Sequence, residues 1–184
     1  MLPEPLHPAV VHFPIVLVAI LPLAAIAALI LIRRGESLKK AWTPVLVLAL
    51  TLAGSAWVAV RTGEAEEEAV EEVVAESAIH EHEEAAELFL PLSAGMVLLV
   101  AGGLLKAGPG KAARGVATVA AILLLVAGYR VGHTGGELVY EHGAADAYVV
   151  QSEIPAELRY QDRDDPESHD SDRRTRGRSQ DDEY

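Results

Sequence analysis

"HPAVVHFPIVLVAILPLAAIAALILIRR", residues 7–34, sets an uncharged run (13–32) between two histidines and two arginines. About 20 helical residues cross the roughly 30 Å hydrocarbon core of a bilayer, so the run reads as a transmembrane helix. Its two ends differ in kind. Arg33 and Arg34 form the cationic flank of a cytoplasmic boundary. His7 and His12 place titratable, metal-capable side chains at the opposite one.

Three further runs of spanning length follow, roughly Thr43–Thr62, Ala86–Leu105 and Val116–Gly135. The loop "RRGESLKK" (33–40) carries four positive charges and "KAGPGKAAR" (106–114) carries three. Between them lies "GEAEEEAVEEVVAESAIHEHEEAAE" (63–87), with eleven glutamates and no lysine or arginine. The positive-inside rule puts the two basic loops in the cytoplasm and the acidic loop outside, together with both termini. "MLPEPLHPAVVH" has no basic n-region and does not read as a cleaved signal peptide. The expectation is an all-α, integral membrane four-helix bundle in a bacterial inner membrane, residues 1–150, with a helical acidic outer loop. Residues 151–184, poor in large apolar side chains and dense in charge, read as a disordered acidic tail.

Composition narrows the chemistry. The 184-residue chain is 51% hydrophobic and contains no cysteine, which excludes disulfides, thiolate metal sites, iron–sulfur clusters and covalently attached haem. A net charge of −12 argues against nucleic acid as a partner. No hydrolase motif is present. In "HEHEE", His80 and His82 lie only two apart and point roughly 160° apart around a helix, so they do not form the H-E-x-x-H pattern. "GPGK" lacks the full phosphate-loop pattern and reads as a tight turn.

On this topology six of the seven histidines collect at the outer face: His7, His12, His80, His82, His133 and His142. Counting about 1.5 Å per residue brings His12 and His133 to the outer hydrocarbon edge, with His82 about 6 Å and His142 about 10 Å beyond it. That predicts two layers, His12 with His133 and His80 or His82 with His142. Gly143 is a natural helix stop after His142. Gly128, Gly132 and Gly136 recur every fourth residue and lead to Tyr140. The stripe serves either close helix packing or the accommodation of a flat macrocycle. If the acidic stretch is one helix, Val70, Val74, Ser77, Glu81 and Glu84 share a face, and Glu81, Glu83 or Glu84 is placed to orient an imidazole.

"HPAVVHFPI" (7–15) and "GHTGGELVYEHG" (132–143) resemble a widespread family of bacterial four-helix membrane proteins catalogued only as a domain of unknown function. "AIHEHEEAAEL" (78–88) is similar to that family's outer-loop His-Glu pair. The resemblance covers about residues 5–145. It implies a four-helix membrane domain whose characteristic positions include His7, Pro8, His12, Pro14, Gly135, Gly136, Tyr140, His142 and Gly143, with His82 and Glu83 as a further match. The family pattern ends in a Gly-Val-Gly-like run where this chain has "AADAY" (144–148). No activity comes with the resemblance.

Three readings remain open at the level of sequence. The first is a b-type haem, or two, bound by paired histidines, with His7, His12, His82, His133 and His142 as candidate ligands. Gly132, Gly136 and Tyr140 would then lie against the ring, and the protein would pass electrons between membrane and periplasmic redox partners. The second is a divalent metal ion held by His12, His82, His142 and Glu83. The third is a structural subunit without a cofactor, whose histidines hydrogen-bond loop backbone.

Overall fold

The computed structural model describes residues 5–148, so the expected tail at 151–184 lies outside the described residues. Among the described residues the helices run, in order, α1 (His7–Val10), α2 (His12–Arg33), α3 (Leu38–Glu71), α4 (Glu76–Gly102) and α5 (Ala107–Tyr140). The described residues contain no strand. Four of the helices are long and apolar enough to cross a membrane, counting α1 and α2 as one. They pack in a closed ring, α2 on α3, α3 on α4, α4 on α5 and α5 on α2. The connections 34–37, 72–75 and 103–106 are four residues each, which makes sequential neighbours antiparallel. One end of the bundle carries the histidines and the other the basic turns.

Local chemistry sets the helix ends. Pro8 opens α1, where a missing N–H costs nothing. Pro14 has no N–H to give the Val10 carbonyl, and its ring crowds that group; α1 stops there and α2 restarts after Val11. At the end of α2, Gly35 takes φ 100. The N–H of Glu36 then reaches the Leu31 carbonyl and that of Gly35 the Ile32 carbonyl, the paired bonds of a Schellman stop. Ser37 caps α3 by accepting the Lys40 N–H.

The core lies on the inner stripe of each helix. Val18, Leu21, Ala25 and Ala28 alternate by three and four residues on α2, as Trp42, Val45, Ala49, Leu52 and Ala56 do on α3. Phe89, Ser93, Met96 and Val100 repeat the pattern on α4, and Ala117, Ala121 and Leu124 on α5. This spacing is that of knobs-into-holes packing, and the many alanines let backbones come close. The large aliphatic side chains face outward: Leu98 is 75% exposed, and Leu23 and Leu123 are 66% exposed. Such a surface is stable only where the solvent is hydrocarbon, so it is the lipid-facing surface of a membrane protein.

At the basic end, Trp42 is fully buried and donates its indole N–H to the Val100 carbonyl at 2.8 Å. Gly103 lies directly against the indole, with no room for a Cβ. Arg114 donates to the Gly103 carbonyl, closing the turn between α4 and α5.

Three sequence expectations change. The helices outrun the spans read from the sequence, except that α4 stops at Gly102, short of Leu105. The acidic stretch is not one helix: α3 carries it to Glu71, the chain turns at 72–75, and α4 begins at Glu76. Val70 and Val74 therefore do not share a face with Ser77, Glu81 and Glu84. Instead Val74, Ile79 and Ala144 cluster with Val70, Ala78 and Leu138, and burying them bends the chain back over the bundle. "GPGK" lies in the first turn of α5 rather than in a tight turn between helices; Gly110 packs so closely on the Leu105 carbonyl that only glycine fits.

Replacing the buried indole tests this packing. Trp42→Ala should lower stability by about 3–5 kcal/mol, read as a fall in thermal midpoint in detergent micelles. An unchanged midpoint would place Trp42 outside the core.

Candidate functional site

A cavity of about 380 Å³ opens at the histidine end of the bundle. Its walls are mostly apolar, with Val18, Ala59, Phe89 and Val131 among them, and three imidazoles face it, those of His7, His12 and His82. Gly128, Gly132, Gly135 and Gly136 of α5 form one side, and the exposed Tyr140 stands at the rim.

His7 is held by α3. Its Nδ1 lies 2.9 Å from the Ala59 carbonyl, which can only accept, so Nδ1 carries the proton; Thr62 Oγ1 is 3.3 Å from the same nitrogen. Glu66 Oε1 accepts the backbone N–H groups of Leu6 and His7 at 2.6 and 2.9 Å. It thereby satisfies two donors that a helix start leaves open. Gly63 lies under the ring, where a Cβ would come 3.2 Å from Cε1. Residues 59, 62, 63 and 66 form one stripe along α3, so the short helix α1 docks where α3 leaves the expected span and runs on past it.

His82 is held in the same manner by α5. Its Nδ1 is 3.0 Å from Oγ1 of the buried Thr134, and Gly135 lies under the ring, where a Cβ would come 3.0 Å from Cε1. The His7 and His82 rings stand 6.4 Å apart between centroids and nearly perpendicular, at 80°. These two, not His12 with His133 or His82 with His142, form the histidine pair of the structure.

The other candidate residues divide clearly. His12 is on the cavity wall but exposed. His133 points away, exposed, with Nδ1 3.8 Å from Glu137 and its ring beside Tyr129. His142 is exposed and lies beyond α5, which ends at Tyr140 rather than running on to His142 as expected; Gly143 takes φ 73 in the turn that follows. His80 and Glu83 face one another at 3.9 Å, Glu83 also meeting Glu67 of α3, and neither borders the cavity. Among the described residues no three histidine, aspartate or glutamate side chains come together to hold a metal ion.

A family model described as "Predicted membrane protein (DUF2231)" matches residues 3–147. The chain belongs to that family. No curated protein and no solved structure matches it. The stretch shared with DUF2231 takes in all four long helices and every residue of the cavity.

Thr62, Gly63, Glu66 and Thr134 escape a reading that follows histidines alone. Their signal is present in the chain nonetheless: "RTGEAE" (61–66) at the acidic end of the second span and "HTGGE" (133–137) at the end of the fourth.

The glycine stripe separates into two roles. A Cβ on Gly128 would meet Val18 at 3.0 Å and Phe89 at 3.3 Å, which is close helix packing. Gly132 and Gly136 have nothing within 4 Å of a Cβ and border open cavity. Gly136→Leu should therefore fold with native helix content and a thermal midpoint within a few degrees of wild type. Gly128→Leu should lose about 1–3 kcal/mol or more through overpacking. Equal destabilisation of both variants would show that no such space exists.

Proposed function

We propose that this membrane protein holds a b-type haem at the histidine end of its bundle, with His7 and His82 as axial ligands, and serves in electron transfer. One observation carries the proposal: two imidazoles from different helices stand 6.4 Å apart beside a single apolar cavity. Two imidazoles bonded to one metal from opposite sides, at about 2.0–2.1 Å per bond, have ring centres about 6 Å apart. The 6.4 Å between the two ring centres is close to that spacing.

The rest of the cavity fits a flat, apolar prosthetic group. Its volume of about 380 Å³ falls in the range of cofactor pockets. Gly132 and Gly136 leave one wall without side chains, and Val18, Phe89 and Val131 line the space with apolar side chains. A haem bound there would supply one-electron redox chemistry. With His7 and His82 both holding its iron, such a haem would have no open site for a small-molecule substrate, which favours electron transfer over ligand activation. A divalent-ion site built on His12, His82, His142 and Glu83 finds less support, since His142 and Glu83 lie off the cavity wall.

The surroundings complete the reading. The basic turns at 33–40 and 106–114 favour a cytoplasmic position for that end in a bacterial inner membrane. The cavity and both termini then lie at the outer face, where a membrane or periplasmic redox partner can reach the site.

The full chain, expressed with a haem supply and purified in detergent, should show a Soret band and sharp α and β bands on reduction. His7→Ala and His82→Ala should each abolish the low-spin spectrum, whereas His133→Ala and His142→Ala should leave it intact. Wild-type protein that stays colourless after haem loading would overturn the proposal and leave a structural role for the histidines.

A further inference from the structure

His7 and His82 are seated by two versions of one device. Each ring lies on a glycine of a neighbouring helix, Gly63 for His7 and Gly135 for His82, at 3.0–3.2 Å from where a Cβ would stand. Each Nδ1 meets the threonine that precedes that glycine, Thr62 at 3.3 Å and Thr134 at 3.0 Å. The two supports carry related sequence, Arg61-Thr62-Gly63-Glu64 on α3 and His133-Thr134-Gly135-Gly136-Glu137 on α5.

The protons on these groups can be followed. Thr134 Oγ1 lies 3.2 Å from the carbonyls of both Arg130 and Val131, which can only accept. With that hydrogen given to the carbonyl pair, the hydroxyl accepts from His82 Nδ1–H, and the Val131 carbonyl is a further acceptor for the same ring. Thr62 repeats the arrangement: its hydroxyl donates to the Ala59 carbonyl at 3.0 Å, and His7 Nδ1–H points at the same carbonyl.

We infer that the Thr62–Gly63 and Thr134–Gly135 ledges are a matched pair of positioning elements. They fix both imidazoles as Nδ1–H tautomers and leave both Nε2 atoms as lone-pair donors at one cavity. In the neutral state neither ring has an N–H left for the other. The pair is two electron-pair donors side by side, a combination that asks for an electron-pair acceptor, a metal centre, as its ligand. Thr62 and Thr134 act through the imidazoles and touch no ligand themselves; an acceptor at Nδ1 also raises the basicity of Nε2. This deepens the haem reading by naming what sets its ligand nitrogens, and it stands if the metal centre is a different one.

The test reads tautomers directly and needs no cofactor. Full-length protein labelled with ¹⁵N-histidine, purified without added haem and placed in lipid nanodiscs, is examined by long-range ¹H–¹⁵N correlation at a pH where the rings are neutral. Wild type should show His7 and His82 with protonated Nδ1. Thr134→Ser should keep His82 in that form, and Thr134→Val should move it to the protonated-Nε2 form or a mixture while His7 is unchanged. In protein that retains haem, Thr134→Val should raise the midpoint potential and Thr134→Ser should restore it. His82 protonated at Nε2 in wild type would overturn the inference even if Thr134→Val fails to fold. So would a tautomer, or in haem-loaded protein a potential, that is indifferent to Thr134→Val. A colourless protein with both rings Nδ1–H would overturn the haem reading and leave the ledges standing.

Discussion

Hydrocarbon offers no hydrogen bonds and does not drive apolar side chains inward, and the remaining features of this protein follow from that constraint. Each spanning segment must close its own backbone bonds as a helix, and neighbouring helices must hold together by close contact rather than by hydrophobic burial. Leucine, isoleucine and valine are therefore spent largely on the lipid-facing surface, while alanine recurs along the inner stripes of α2, α3 and α5. Where a large or polar side chain does enter, it is fully matched. Trp42 has its carbonyl, Ser93 donates to Leu90, and no buried side-chain nitrogen or oxygen among the described residues lacks a partner.

The histidine end departs from this economy of packing. There α3 and α5 change from alanine stripes to Thr-Gly ledges, and the small residues border space instead of a neighbouring helix. Gly128 still packs against Val18 and Phe89, yet one and two turns later Gly132 and Gly136 face open cavity. The helix α1, tied to α3 through His7 and Glu66, walls one side of that space. The Val74, Ile79 and Ala144 cluster fastens the turn between α3 and α4 to the end of α5 nearby. The room is lined by apolar side chains, glycines and three histidines.

Much of the architecture was legible in the chain because it rests on one-dimensional quantities. Span length and Pro8 each act on their own stretch, and the structure agrees with them on the all-helical fold and on four helices of spanning length. Residues that depend on three dimensions were harder to read. Counting heights along straight helices pairs His12 with His133, since it has no information on rotation about the helix axis; in the structure His133 turns outward and His7 turns in. The break at 72–75 was hidden because glutamate and alanine favour helix locally, whereas burial of Val74 and Ile79 decides the path. Thr62 and Thr134 carry no chemistry that marks them in isolation. They gain a role only when α1 and α4 bring a ring onto each.

The central claim is that His7 and His82, nearly perpendicular at 80°, are partners across one metal centre. Low-temperature electron paramagnetic resonance of the ferric, haem-loaded protein tests it most directly, because the angle between axial imidazoles shapes the low-spin signal. Perpendicular rings predict a highly anisotropic low-spin spectrum with a single large low-field feature. A high-spin signal, or the well-resolved rhombic spectrum of parallel imidazoles, would contradict the account.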